Sequence, residues 1–280
     1  VMKKDTAILL LFIVLLGKAE TRAQDELARQ YEYACLLMQK GNYYDAVTEF
    51  KRLLFFDMRN KYKFVANSRL GECYKQGAKY ADAVFYLNVA LQNSPGNKER
   101  LIMKKEIIKV NILRRSFDNA LQQIYELEKD TTSGFAEEAD YWRGWTYIFE
   151  DDWEKAAECF SKKQDWQELK KICVETDKHK YSVTMAKLLS VFLPGSGQFY
   201  TGNYMSGIMS VGWNFLWGYI SVNSLIENRV FDGLMTANFL LLRFYLGNVQ
   251  NAEKFAENRN LEITNKALNY LQNNFNGEKP

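Results

Sequence analysis

The sequence predicts an all-α protein in two parts, an array of helical hairpins followed by a small apolar helical hairpin. Three observations carry that expectation. A small residue recurs at Ala46, Ala83, Ala120 and Ala156, in steps of 37, 37 and 36. No acidic or basic residue occurs between Lys187 and Glu227, in a chain that is 25% charged. Inside that uncharged run, Pro194-Gly195-Ser196-Gly197-Gln198 must break a helix. Proline cannot donate a backbone N–H there, and glycine readily takes a positive φ.

Composition narrows the function classes. A length of 280 residues allows one or two domains, and three prolines with 47% hydrophobic residues describe a globular chain. A net charge of +3 is too mild to imply a nucleic-acid partner. Mean hydropathy of −0.36 argues against a polytopic membrane protein but leaves room for one hairpin. Cys35, Cys73, Cys159 and Cys173 have no CxxC spacing, and His179 is the only histidine, so neither a metal site nor a cofactor is expected. The cysteines read either as small buried hydrophobes or, in an exported chain, as disulfide partners.

Residues 1–23 have the anatomy of a secretory signal peptide. Met2-Lys3-Lys4 is basic, residues 7–16 are apolar, and Thr21-Arg22-Ala23 offers a small residue for cleavage. An uncleaved anchor is the alternative.

Residues 25–176 carry the repeats, about four of them and a closing helix over 165–176. Three positions before each anchoring alanine stands an aromatic: Tyr43, Tyr80, Phe117 and Trp153. Four positions after it stands a bulky apolar residue: Phe50, Leu87, Ile124 and Phe160. Twelve before it come Ala34, Gly71, Ile108 and Gly144; nine before it, Leu37, Tyr74, Asn111 and Tyr147. In a helical hairpin the small residue of helix A lets helix B approach, the aromatic opens helix B, and the alanine seats it. Each unit then leaves apolar surface for the next to cover.

This pattern resembles the tetratricopeptide repeat, most plainly at Leu70-Gly71, Tyr74, Tyr80, Ala83, Ala90 and Pro95. The first unit has Met58 where the family closes with proline, and the third departs at Ile108 and Asn111. The resemblance implies a helical-hairpin solenoid whose A helices line a concave face. Its groove-facing positions are Tyr31 and Cys35, then Arg69, Glu72 and Lys75, then Lys105 and Lys109, then Tyr141, Trp145 and Ile148. A basic centre between aromatic ends suits an extended or acidic segment of a protein partner. A solvated helix face is the plainer alternative. The asparagines of the family's carboxylate-clamp subset are not found, so that ligand mode is not expected.

Residues 177–185, with Asp177-Lys178-His179-Lys180, read as a linker, and residues 186–250 as the apolar hairpin. A helix over 204–226 is about 34 Å long at 1.5 Å per residue, enough for a hydrocarbon core of about 30 Å. A second candidate covers 230–248, with Asp232 and Arg243 near its ends. Both are expected to be transmembrane helices, with Asn214 and Asn238 near their centres bonded to each other. Residues 251–280 form a polar helix and tail. The turn Pro194, Gly195, Gly197, Gln198, Tyr200, Gly202 resembles the P-G-x-G-Q-x-Y-x-G motif of a family of small bacterial envelope domains, which implies a fold and membrane association but no reaction. In place of that family's proline after the serine of the leading helix, Ser182 is followed by Val183.

The expected function is an exported, periplasm-facing scaffold of the bacterial cell envelope, its repeats binding a protein while the hairpin holds a membrane. A membrane-embedded factor for assembly or insertion of envelope components is the second reading. An enzyme with a site near Gln198 and Tyr200 is a weak third, lacking any visible base or nucleophile.

Overall fold

The computed structural model describes residues 25–130 and 134–280. The expected signal peptide, residues 1–23, lies outside the described residues. What is described is all-α, and it divides into two units. The first runs through Gln164 and includes Glu278–Pro280; the second is Asp165–Gly277.

The first unit is a succession of helix pairs. Helix α1 covers residues 25–39, followed by α2 (Tyr43–Phe56), α3 (Lys63–Gln76), α4 (Tyr80–Gln92), α5 (Asn97–Leu113), α6 (Phe117–Lys129), α7 (Ala136–Glu150) and α8 (Trp153–Phe160). Each even-numbered helix starts on the aromatic of its repeat. All four anchoring alanines are fully buried. In the second and fourth pairs the residue twelve positions before the anchor faces the one four positions after it. A Cβ on Gly71 would sit 2.6 Å from Leu87 Cγ, and one on Gly144 would sit 2.5 Å from Phe160 Cζ. The third pair has no small residue at this position. Ile108 and Ile124 are both fully buried, and Asn111 donates to Gln123 Oε1 at 2.8 Å.

The turns inside the pairs share one backbone device. Gly41, Ala78, Arg115 and Asp151 all have positive φ, between 55° and 79°, at five positions before each anchor. The next amide reaches back to close the helix: Asn42 to Leu37 O, Lys79 to Tyr74 O, Ser116 to Asn111 O and Asp152 to Tyr147 O. This satisfies carbonyls that the helix end leaves unpaired. Only one of the four residues is glycine, so the other turns hold side chains in a conformation that L-residues resist. Ala78→Gly is therefore expected to stabilise α3 and α4 by about 0.5–1 kcal/mol, and Gly41→Ala to destabilise the first pair by a similar amount. Hydrogen exchange of those helices measures both, and shifts of equal sign would show that the turn is not strained.

The second unit holds a 3-10 turn (Gln164–Trp166, its first residue closing the first unit), α9 (Gln167–His179), α10 (Val183–Phe192), α11 (Ser196–Tyr200), α12 (Tyr204–Ile226), α13 (Val230–Thr236), a π turn (Ala237–Leu241) and α14 (Leu242–Asn274). Three expectations change here. The closing helix over 165–176 groups with this unit, packing against α14. The linker expected over 177–185 is helical at both ends, because α9 runs on through His179 and α10 begins at Val183; Lys178, in the last turn of α9, suits the helix dipole there. The boundary expected at 250 falls inside α14, a helix of 33 residues.

The transmembrane expectation is overturned. No described helix is long and apolar enough to cross a membrane. Helix α12 has the length, 23 residues, but glycine, serine and asparagine recur along it and dilute its hydropathy. The second candidate is not one α-helix over 230–248 but α13, the π turn and the start of α14. The cysteines stand as thiols. Burial, then the charge of Glu72, pushes Cys73 up to about 12, and burial with Asp140 pushes Cys159 up to about 11.

Candidate functional site

Two sites were legible as candidates, the face formed by the A helices of the first unit and the glycine turn of the second.

On the first, the expected basic centre is present but is not bare. Arg69 pairs with Glu72 at 2.9 Å. Lys75 reaches Glu106 at 3.5 Å, and Lys105 reaches Glu138 at 2.5 Å while lying 6.0 Å from the Phe135 ring centroid. Lys109 has the most enclosed ammonium of the row, its side chain only 8% exposed. It pairs with Glu106, one turn back on α5, and with Glu278 at 2.7 Å. The Trp142 ring centroid is 5.2 Å from its nitrogen. Burial alone would lower the Lys109 ammonium, yet the hydrogen bonds and charges of Glu106 and Glu278 hold it above the ordinary lysine value.

The aromatic ends are less open than expected. Tyr31 packs on Phe50 and Tyr62, with ring centroids 6.0 and 5.5 Å apart, and burial followed by Cys35 raises its phenol. Trp145 and Ile148 are buried in the core, so they support the face and do not line it. Tyr141 does reach it, and its hydroxyl donates to the backbone carbonyl of Glu278. Burial raises the Tyr141 phenol, against a lowering hydrogen bond with Trp145. Sequence reasoning placed Glu72 on this face but missed the other three carboxylates, Glu106, Glu138 and Glu278. Glu106 was findable, because an acid three residues before a lysine on a helix is its neighbour. Glu138 and Glu278 belong to other elements and left no local signal.

The glycine turn builds a buried polar node. Gly195 has a φ of +92°, and its N–H donates to Asn248 Oδ1 at 2.9 Å. Gln198 is fully buried. Its amide nitrogen donates to Asn248 Oδ1 at 2.8 Å and to the Asn248 carbonyl at 3.0 Å. Ser210 of α12 donates to the same Oδ1 at 2.8 Å. Asn248 in turn donates to the Ser190 carbonyl at 3.1 Å. Ser190 Oγ closes the circuit, accepting from Gly197 N at 3.1 Å and donating to Gln198 Oε1 at 3.2 Å. Thr201 donates back to Gly197 O, and Gly202, at φ +76°, continues the chain into α12. Tyr200 accepts from Ser182 N at 3.1 Å. Pro194 ends α10, as the sequence requires.

Asn248 and Ser190 take the amides freed at the broken helix, and Gln198 holds Asn248 in place. One detail differs from expectation: Asn214 does not pair with Asn238. Its amide donates to Ser210 O at 2.8 Å, and its oxygen meets no partner among the described residues. The node consists of amides and hydroxyls whose donors and acceptors face each other, an arrangement suited to locking four helices, α10, α11, α12 and α14. No family model matches the chain, and no curated protein matches it.

Proposed function

We propose that this protein is an interaction scaffold of the cell envelope. Its repeat-like helix pairs receive an extended segment of a protein partner, and its second unit seats in an apolar phase at a membrane without a helix that crosses it. The observation that carries this reading is the inverted distribution of polarity in the second unit. Helix α12 buries Gly207, Asn214, Ser221 and Ser224. On the outside, Met205, Phe215 and Ile226 are 74%, 76% and 73% exposed, and Phe192 and Phe231 are 84% and 70% exposed.

Water disfavours that arrangement, since each exposed large side chain forgoes about 1.5–3 kcal/mol of burial. An apolar phase favours it, because small residues let helices approach and polar groups must find partners inside. An outward apolar surface made of this many large side chains marks an interaction site. The paired cations of the first unit support the partner half of the reading, since charge complementarity selects acidic segments.

Vesicle flotation tests the membrane half. Wild-type protein is expected to float with lipid vesicles, whereas Phe215→Glu with Phe231→Glu stays in the aqueous fraction with the helix content unchanged. Equal flotation of the two proteins would refute it.

A further inference from the structure

Lys109 supports a more specific statement about the groove. An ammonium this enclosed needs carboxylates, because an unpaired buried charge is strongly disfavoured. Glu106 supplies one from its own helix, and that pair is complete within α5. Glu278 supplies the second and is held twice. Its carboxylate meets Lys109 at 2.7 Å, and its backbone carbonyl accepts the Tyr141 hydroxyl. The two contacts belong to one residue, so together they read an acidic side chain on a main chain whose carbonyl is not engaged in a helix. Glu278 meets that requirement, since α14 ends at Asn274 and residues 275–280 are non-helical. Its side chain remains 54% exposed, which leaves it replaceable.

We propose that Lys109 and Tyr141, walled by Trp142, form a docking site for a glutamate or aspartate in an extended partner segment, and that Glu278 is an internal ligand which such a segment displaces. This rests on the partner-binding reading above and adds the chemistry recognised and a means of regulation. A ligand tethered to its own site acts at an effective concentration on the order of millimolar, so it filters out weak competitors.

The test uses the full chain and a fluorescein-labelled peptide of residues 272–280, QNNFNGEKP. A second peptide carries Gln in place of its glutamate, and binding is read by anisotropy. The wild type should bind the glutamate peptide weakly and Glu278→Gln about tenfold more tightly, as the tether no longer competes. Lys109→Met should abolish that gain, Tyr141→Phe should reduce it, and the Gln peptide should bind poorly to every form.

Equal affinity of wild type and Glu278→Gln for the glutamate peptide would overturn the internal ligand while keeping the groove. No binding by any form, or no preference for the glutamate peptide, would overturn the docking site itself. The peptide comparison alters no residue of the site, so it stands even if Lys109→Met folds poorly. Because no membrane is involved, the result is separate from vesicle flotation.

Discussion

Gly197→Val is expected to dismantle the core of the second unit while the helix pairs of the first stay folded. A Cβ at this position would lie 2.2 Å from Ala186 O, 2.4 Å from Ser190 Oγ and 2.7 Å from Ala252 Cβ. Two of those neighbours cannot turn aside, because one is backbone and one is a methyl fixed to its own Cα. Valine adds two further methyls. Overpacking typically costs ~1–3 kcal/mol, and here it also pries Ser190 from the Gly197 amide, so about 3–5 kcal/mol is expected. Hydrogen exchange read separately over residues 186–252 and over α3–α8 checks this, since two units need not unfold together. Protection of residues 186–252 at the wild-type level would show that the close approach is not required.

Asn248→Leu should be comparably damaging for an electrostatic reason. The substitution nearly conserves volume but removes the acceptor of three donors: the Gly195 N–H, the Gln198 amide and the Ser210 hydroxyl. It also orphans the Ser190 carbonyl. Buried groups left unpaired cost ~1–3 kcal/mol each, and partial rearrangement leaves a net loss of about 3–4 kcal/mol. Gln198→Leu alone should lose less, and the double variant less than the sum, because the two side chains act on each other. Strict additivity in exchange-derived stabilities would mean that the node is not a unit.

How far the fold could be read in advance depends on the range of the interaction involved. The alanine anchors and the opening aromatics were legible because a hairpin repeat confines each contact to residues about a dozen apart. Helix α12 was legible at both ends because the Gly202-Asn203 turn precedes it and Glu227 follows. Asn248 was not, since it lies 50 residues from Gln198 and resembles any other asparagine late in a helix. The lysine row follows helical periodicity, and so do Glu72 and Glu106 on the same helices, but Glu138 and Glu278, which also pair with it, come from other elements. The membrane expectation counted length correctly and underweighted the glycines, serines and asparagines along α12.

The π turn at Ala237–Leu241 has a consequence for how the unit tolerates change in length. Backbone dihedrals stay helical on both sides of it, with Ala237 at φ −60°, ψ −46° and Leu242 at φ −61°, ψ −39°, so residues 230–274 run on as a single rod with one wrinkle. A wrinkle of this kind holds one residue more than the α-helical repeat, and each residue advances an α-helix by about 100° and 1.5 Å. Deleting one residue there would smooth the rod while swinging everything after it through more than a quarter of a circle, carrying the Asn248 side chain away from Gly195 and Phe244 off the Trp213 and Trp217 rings it stacks on. The wrinkle thus acts as a phase adjuster. It sets the rotation at which the later half of the rod meets the glycine turn, and the identity of the residues inside it matters less than their number.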